Sequence, residues 1–555
     1  MNQTLIILLS SFSILLFVGT AIISWFQPGL RPELVKKAGL TSAFISIILA
    51  AICGFLVTQY GLIETATLGI NGLGISLRLD SVSMLMSGMI SLLGFIIIRF
   101  SFNYLDGDQR QGRFLGRLAA TIAAVQLLVL SGNLGIMVIA WVLTSVSLHR
   151  LLIFYPERPG ALVAAKKKFI IARLGDACLI GSVGLLYYHF GSGNLELIFE
   201  AIKDSFSNGG FSINLEGAAL LVVLAALLKS AQFPTHGWLI EVMETPTPVS
   251  ALLHAGLLNA GPFLIIRMSF VVEASYYAPL ILIVVGGFTA LFASVVYLTQ
   301  TSVKTALGYS SVAHMGFSLL VCGMGVYPAA LLHLVAHSFY KAHSFLSTGS
   351  VIDQLRASKV IDVKRKGSPV RILLGILIAV IVYAFTSLAW GIDPIKDLPL
   401  MAIGAIITLG LARLFTSALD SDGSFSLIVQ ATLLVLVVAF AFFSLEAGTH
   451  YLIQSQVPAL LHIDLTKSLL IIALLTTYIV AVFLQILAPT ISNLPIYQAW
   501  AIHIRNGLYV NAIFDRLIGA LRILPTKHKF ITSKSRNHKP TDLKSKMAQL
   551  DHQTA

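Results

Sequence analysis

The chain has 555 residues, 56% of them hydrophobic and only 11% charged, with a mean hydropathy of +0.86 and a formal net charge of +13. Such a composition lies far outside the soluble globular range and identifies a polytopic membrane protein. It also excludes a nucleic-acid surface as the source of the positive charge, because neither aromatic interleaving nor a recognisable module accompanies the basic residues.

Apolar stretches of about 20 residues, the length that spans a bilayer, recur at 4–26, 40–60, 82–104, 114–131, 133–155, 165–190, 216–240, 247–268, 276–300, 301–322, 326–350, 371–395, 398–420, 424–446 and 465–489, fifteen in all. The first lacks a basic leader and a clear cleavage site, so it reads as a retained helix. Arg31, Lys36 and Lys37 follow the first span, Arg110 and Arg113 the third, Arg158 and Lys166 to Lys168 the fifth, and Arg356, Lys359, Lys364, Arg365 and Lys366 the eleventh. All are odd-numbered connections. The loop after the sixth span instead carries Glu196, Glu200, Asp204 and Glu216 against Lys203. Basic residues mark cytoplasmic loops, so the N-terminus is expected outside and the C-terminus in the cytoplasm. Cys53, Cys178 and Cys322 lie apart in separate spans and imply neither disulfides nor a metal cluster.

Residues 496–524 mix apolar residues with His503, Arg505, Asp515, Arg516 and Arg522 at helical spacing, which predicts an interfacial amphipathic helix. Beyond Pro525 the polar, basic composition predicts a tail disordered unless a partner orders it, suited to anionic lipid or an acidic partner surface. The expected fold is therefore all-α and polytopic, with about fifteen transmembrane helices and a C-terminal amphipathic helix. Its parts are N-terminal helices (1–110), a first five-helix unit (111–270), a second (271–420), C-terminal spans (421–490), the amphipathic helix (491–525) and the basic tail (526–555).

Ionisable residues inside the spans are few: Asp176, Lys229, Glu241, His254, Lys304, His333, His337, Lys341, Lys396 and Asp397. Placing a cation near a bilayer centre costs at least about 2.5–3.5 kcal/mol, so such residues face a bundle interior or water and mark function. Several of these stand at span edges, where long side chains reach the interface. Their types suit a proton relay: a buried lysine tuned by a nearby carboxylate, and histidines that titrate near neutrality. His333, His337 and Lys341 follow one another at four-residue steps and so share a helical face. The two histidines have the spacing of metal ligands as well, but the chain offers no suitably spaced third ligand.

Two helix breaks accompany the lysines. Pro234 follows Lys229, and Gly391-Ile392-Asp393-Pro394 precedes Lys396. Broken helices recur at the ion sites of transporters built from inverted repeats. Five-helix units related by inversion, spans four to eight and nine to thirteen, would place Lys229 and Lys396 at matching positions.

The segment Lys229–Leu253 (KSAQFPTHGWLIEVMETPTPVSALL), followed by His254-Ala255, resembles the signature of the antiporter-like proton-translocating subunits, which include membrane-arm subunits of respiratory complex I and large subunits of multisubunit sodium/proton antiporters. Val303–Ser311 (VKTALGYSS) resembles the family's segment around a buried lysine, and Leu332–Ala342 (LHLVAHSFYKA) its two-histidine helix. The resemblance implies that Lys229 is the central lysine of a first half-channel, with Glu241 beyond the break and His254 connecting. Lys304, His333, His337 and Lys341 would carry the proton across to Lys396 and Asp397 in a second half-channel. Arg173 and Asp176 also match a family position.

One departure matters. Where the family has Trp-Glu in the fifth span, this chain has Trp141-Val142, so the usual partner of the central lysine is missing and Glu241 or His149 is expected to stand in. The segment Leu252–Leu264 (LLHAGLLNAGPFL) is most similar to the membrane subunit of the DAB-type inorganic carbon accumulation complexes. That resemblance implies a cation-conducting subunit, for protons or sodium, bound to a cytoplasmic, zinc-containing partner of the DabA type related to carbonic anhydrase. The gradient would drive carbon dioxide to bicarbonate in one direction, with zinc in the partner and no cofactor in this chain. A subunit of a complex I-like or antiporter complex is the alternative. No phosphate loop, nucleophile elbow or zinc constellation points to bond chemistry within the chain, which reads as a transporter subunit rather than an enzyme.

Overall fold

Four N-terminal helices, α1 (Gln3–Phe26), α2 (Glu33–Tyr60), α3 (Ser81–Tyr104) and α4 (Gln111–Val129), pack together in the computed structural model, which describes residues 3–70, 72–208, 213–350, 369–393, 396–420, 425–459 and 464–517. Each contributes one residue to a buried polar network. Ser13 donates to the Gln126 side-chain oxygen (2.8 Å), and the Gln126 amide donates to Ser46 (2.9 Å) and Ser91 (3.0 Å). Hydrocarbon offers no alternative partner for these groups, so a satisfied network holds the helices and fixes their rotation.

Between α2 and α3 the chain forms two short antiparallel ladders, β1 (Ile63–Glu64) with β4 (Arg78–Leu79) and β2 (Leu68–Ile70) with β3 (Leu73–Ile75). Register pairs Glu64 with Arg78. The Arg78 guanidinium donates to Glu64 (2.7 Å), Glu196 (2.7 Å) and Asp80 (2.8 Å). Asp80 in turn caps α3 through the Ser83 amide (2.8 Å) and accepts from Arg267. Burial alone would raise the Asp80 carboxyl, but the Arg267 and Arg78 charges overcome it and hold the group well below the usual carboxylate range.

The first unit continues with α5 (Leu134–Leu152), α6 (Pro159–Phe190), the amphipathic α7 (Leu195–Asn208), α8 (Ile213–Lys229), α9 (Gly237–Glu241), α10 (Thr247–Leu252) and α11 (Ala260–Arg267). Helix α8 stops at Lys229: Ala231 takes a left-handed φ of 53°, rare for a residue with a Cβ, and Pro234 has no amide to donate. Helix α11 closes on this break. A Cβ at Gly261 would lie 1.8 Å from Ser230 Oγ, so glycine is what lets the two backbones meet. A π-helical turn, Leu253–Leu257, joins α10 towards α11.

There follow α12 (Ser269–Glu273), α13 (Tyr277–Ile281), α14 (Gly287–Tyr297), α15 (Val303–Gly323), α16 (Tyr327–Leu346), α17 (Pro369–Ala389), α18 (Leu398–Asp420), α19 (Phe425–Ile453), α20 (Leu465–Ile491), α21 (Pro495–Arg505) and α22 (Val510–Leu517). Helices stand at every apolar stretch read from the sequence, and ten among the described residues are long and apolar enough to cross a membrane.

Two expectations change. The amphipathic segment is not one helix: Leu508 and Tyr509, with φ of 52° and 60°, bend it between α21 and α22. Gly391, Ile392 and Asp393 do not interrupt a helix, because α17 has ended at Ala389 and α18 starts only at Leu398, while Pro394 lies outside the described residues. Residues 518–524, the tail and the basic run from Arg356 to Lys366 lie outside the described residues.

Replacing Asp80 by Asn should destabilise the fold by about 3–5 kcal/mol, since it leaves two guanidiniums short of a buried counter-charge. A carboxylate with a depressed folded pKa stabilises above its unfolded value and loses that contribution as pH falls towards the folded one. The melting gap between wild type and Asp80→Asn should therefore be constant above about pH 5 and shrink below about pH 4. A gap indifferent to acid would contradict it.

Candidate functional site

The ammonium of Lys229, at the end of α8, turns into α5. It donates to the Trp141 carbonyl (3.1 Å), Thr144 Oγ1 (3.0 Å) and Ser145 Oγ (3.4 Å), and lies 4.2 Å above the centre of the Trp141 ring. The carboxylate whose charge reaches it is Asp176 on α6, which is ion-paired with Arg173 at 2.6 Å. Lys168, also on α6, donates to the Ser145 carbonyl (2.6 Å) and hydroxyl (3.2 Å). Lys168 and Lys229 thus share Ser145, and both line a cavity of about 10 Å³ with Thr144, Trp238, Leu253 and Leu257. That is room for about one water.

Neither expected substitute for the missing fifth-span glutamate fills the role. His149 packs its ring 5.2 Å from that of Phe169. Glu241, at the end of α9, accepts from Lys167 and from the Asn511 amide (2.7 Å), while Lys167 also pairs with Asp515. Asn511 and Asp515 belong to α22, which has no fully buried residue; polar contacts and the partly buried Phe514 hold it to the bundle. The approach is close, because a Cβ on Gly237 would collide with the Asn511 side chain. Glu241 therefore belongs to a cluster at the mouth of the helix break.

The second group of titratable residues gathers on α15 and α16. His254, in the π-helical turn, is fully buried and stacks on Phe345 at 4.3 Å. Its neighbour Leu253 lines the Lys229 cavity, while its own ring lies within electrostatic reach of Lys341 and His337. The turn thus stands between the two lysines. Lys341, fully buried, donates to the Leu307 carbonyl (3.3 Å). One turn away, His337 lies 4.8 Å from His314 ring to ring, and His314 Nδ1 is 3.3 Å from His333 Nε2. Both ring nitrogens of His254 and of His337 lack a hydrogen-bond partner among the described residues. Such buried orphans are what mobile protons or transient water would satisfy.

Three other candidates stand apart. Lys304 occupies the first turn of α15, half-buried, at a span edge. Lys396 is exposed in the α17–α18 connection beside Asp393 (3.7 Å), and Asp397 accepts from the Asp393 amide (3.1 Å) in the same loop. The buried second lysine of the assembled file is therefore Lys341, not Lys396. Missing from the expected set are Lys167, Lys168, His314, Asn511 and Asp515. His314 was open to the rule that found its neighbours, an ionisable group inside an apolar span. Lys167 and Lys168 were concealed in a basic run that imitates a loop, and nothing local in the amphipathic segment shows that Asn511 and Asp515 return to α9.

A family model described as NADH:quinone oxidoreductase/Mrp antiporter, transmembrane, matches residues 131–395, and one described as the N-terminus of complex I chain 5 matches residues 67–115. A Halothiobacillus neapolitanus protein named "Probable inorganic carbon transporter subunit DabB2" is 36% identical over 462 residues, 83% of this chain and 82% of its own length. "Probable inorganic carbon transporter subunit DabB" of Hydrogenovibrio crunogenus is 40% identical over 326 residues, 58% of this chain and 60% of its own length. Chloroplast NAD(P)H-quinone oxidoreductase subunit 5 of Nandina domestica is 34% identical over 328 residues, covering 58% of this chain and 44% of its own length. A chain of the Mrp complex from Dietzia superposes with a TM-score of 0.64 at 22% identity, over 92% of this chain and 59% of that one. A chain of the archaeal membrane-bound sulfane sulfur reductase gives 0.54 at 16%, over 92% and 99%. At those identities the two structures share the fold.

Lys167→Met would leave Glu241 and Asp515 facing each other without a cation. Helix α22 should then detach, and trypsin cleavage at Arg505 or Arg516 should accelerate by roughly tenfold, the effect of about 1.4 kcal/mol on local opening. An unchanged cleavage rate would contradict the latch.

Proposed function

The chain belongs to the antiporter-like membrane subunits of NADH:quinone oxidoreductases and Mrp antiporters, in the group of the DabB inorganic carbon transporter subunits, and on that premise we propose that it conducts protons or sodium ions to energise bicarbonate accumulation. The observation that carries the reading is the polar file from Lys168 and Lys229, past the His254 turn, to Lys341, His337, His314 and His333, in which Lys168, His254, His337 and Lys341 are buried. Asp176 supplies the charge that family members take from the fifth-span glutamate. Lys229 and Lys341 are the groups that release and regain a proton, and the imidazoles hand it on by taking it at one ring nitrogen and giving it up from the other. Glu241, Lys167, Asn511 and Asp515 form the mouth on the C-terminal side of the break.

On this proposal the chain lies in a bacterial inner membrane with its N-terminus outside and C-terminus in the cytoplasm. The two five-helix units are inverted copies, and the helix break at the ion site is the one after Lys229 in the first of them. The hydration chemistry belongs to a cytoplasmic, zinc-containing, carbonic-anhydrase-like partner of the DabA type, and zinc sits there. Among the described residues of this chain no group of three or more His, Cys, Asp or Glu side chains is arranged to hold a metal.

The similarity to quinone oxidoreductase subunits favours a second reading, a pumping subunit of a redox or antiporter complex. Copurification with quinone-reductase or antiporter subunits would decide for it. For the leading reading, the chain expressed with its partner in cells lacking carbonic anhydrase should restore growth in ambient air, and no rescue by the pair would contradict it. His337→Ala should abolish the rescue and slow cation movement by on the order of a hundredfold or more. Full rescue by that variant would make the chain a scaffold.

A further inference from the structure

Arg110, Arg113, Arg117 and Arg150 line a depression of about 450 Å³ together with Ile153, Phe154 and Pro156. None of them belongs to the polar file. They gather where α4 begins and α5 ends. Two are held in place by aromatic faces: the Arg110 guanidinium lies 4.8 Å over Tyr155, and that of Arg117 lies 5.0 Å over Phe154 while donating to the Arg150 carbonyl (2.7 Å). Acidic groups nearby are few. Arg110 pairs with Glu157 at 3.3 Å, and Asp108 is engaged by the Tyr155 hydroxyl at 2.5 Å. Arg113, Arg117 and Arg150 have no ion pair among the described residues.

Depth in the membrane is marked from two directions. Trp25 and Phe26, both exposed, end α1 beside this site, since the Gly112 and Arg113 amides donate to the Gly29 (3.3 Å) and Pro28 (3.1 Å) carbonyls. Exposed aromatics of that kind sit at the level of lipid headgroups. From the hydrocarbon side, Ile139, Leu143 and Val146 form an exposed apolar stripe on α5 that reaches Arg150 in steps of three and four residues. A cationic depression at headgroup depth, continued by a lipid-facing groove, fits a molecule with an anionic head and an apolar tail.

We propose that this depression binds the phosphate of an anionic membrane phospholipid, with an acyl chain along the Ile139–Val146 stripe of α5. Guanidinium groups match phosphate oxygens in bidentate geometry and stay charged at every accessible pH. A zwitterionic headgroup would bring its own cation into the arginine field and bind less well. Free phosphate would satisfy the arginines alone, and a soluble acidic protein would have no use for the stripe.

Detergent-purified protein mixed with vesicles of phosphatidylglycerol and phosphatidylcholine, read by native mass spectrometry, tests the site without reference to transport. Wild type should retain phosphatidylglycerol in preference to phosphatidylcholine. The triple variant R113Q/R117Q/R150Q should lose that retention roughly tenfold or more, while K36Q/K37Q, basic residues elsewhere on the same face, should not. Equal retention of the two lipids by wild type would overturn the proposal. So would undiminished retention by the triple variant, or displacement of the lipid by inorganic phosphate alone. Loss of a copurifying soluble subunit with lipid retained would overturn it in favour of a protein partner. Should the triple variant not fold, the wild-type lipid preference and phosphate competition decide the matter themselves.

Discussion

A charge inside hydrocarbon must be satisfied by the protein around it, and the Lys229 ammonium shows how much of the bundle that requirement organises. Helix α8 has to end there so that the side chain can turn into α5, where a carbonyl, two hydroxyls and the face of Trp141 receive it. The helix end frees backbone groups in turn, and the close approach of α11 at Gly261 shields them. Asp176 supplies counter-charge from α6, the helix that also carries Lys168 and Lys167. One cation thus fixes the mutual positions of four helices.

Polar clusters hold the two ends of this arrangement. At one end Asp80 ties the start of α3 to the end of α11 through Arg267, and to β4 through Arg78. At the other, Asn511 and Asp515 bring α22 against α9 and Lys167. The first cluster is almost fully buried and holds structure. The second is partly exposed and attached to a helix with no buried residue, so it is the weaker closure. The interior between them is a run of lysines and histidines whose orphaned nitrogens distinguish it from an ordinary apolar core.

Much of this was legible in the sequence, because bilayer thickness and the cost of burying charge act on local composition. The apolar stretches mark helices, and Lys229, His254, His333, His337 and Lys341 stand out within them as residues that need a reason. The same rule misplaced Lys396, because a lysine after Gly391 and Asp393 looks equally costly until its side chain is seen to be exposed. It passed over Lys167 and Lys168, which read as loop residues but lie inside α6. Partnership was the least legible feature. That Asp176 answers Lys229, and that Asp515 returns across the chain to Lys167, depends on helix rotation and chain reversal, neither of which leaves a local signature.

The central claim is that the polar file moves charge across the membrane through Lys229. Current recorded from proteoliposomes on a solid-supported membrane, after a step in pH or sodium, tests it most directly. Wild type should give a transient current, and Lys229→Met, which keeps the apolar stem but has no charge to exchange, should fall to the level of empty liposomes while remaining folded. A current of wild-type size from Lys229→Met would contradict the account.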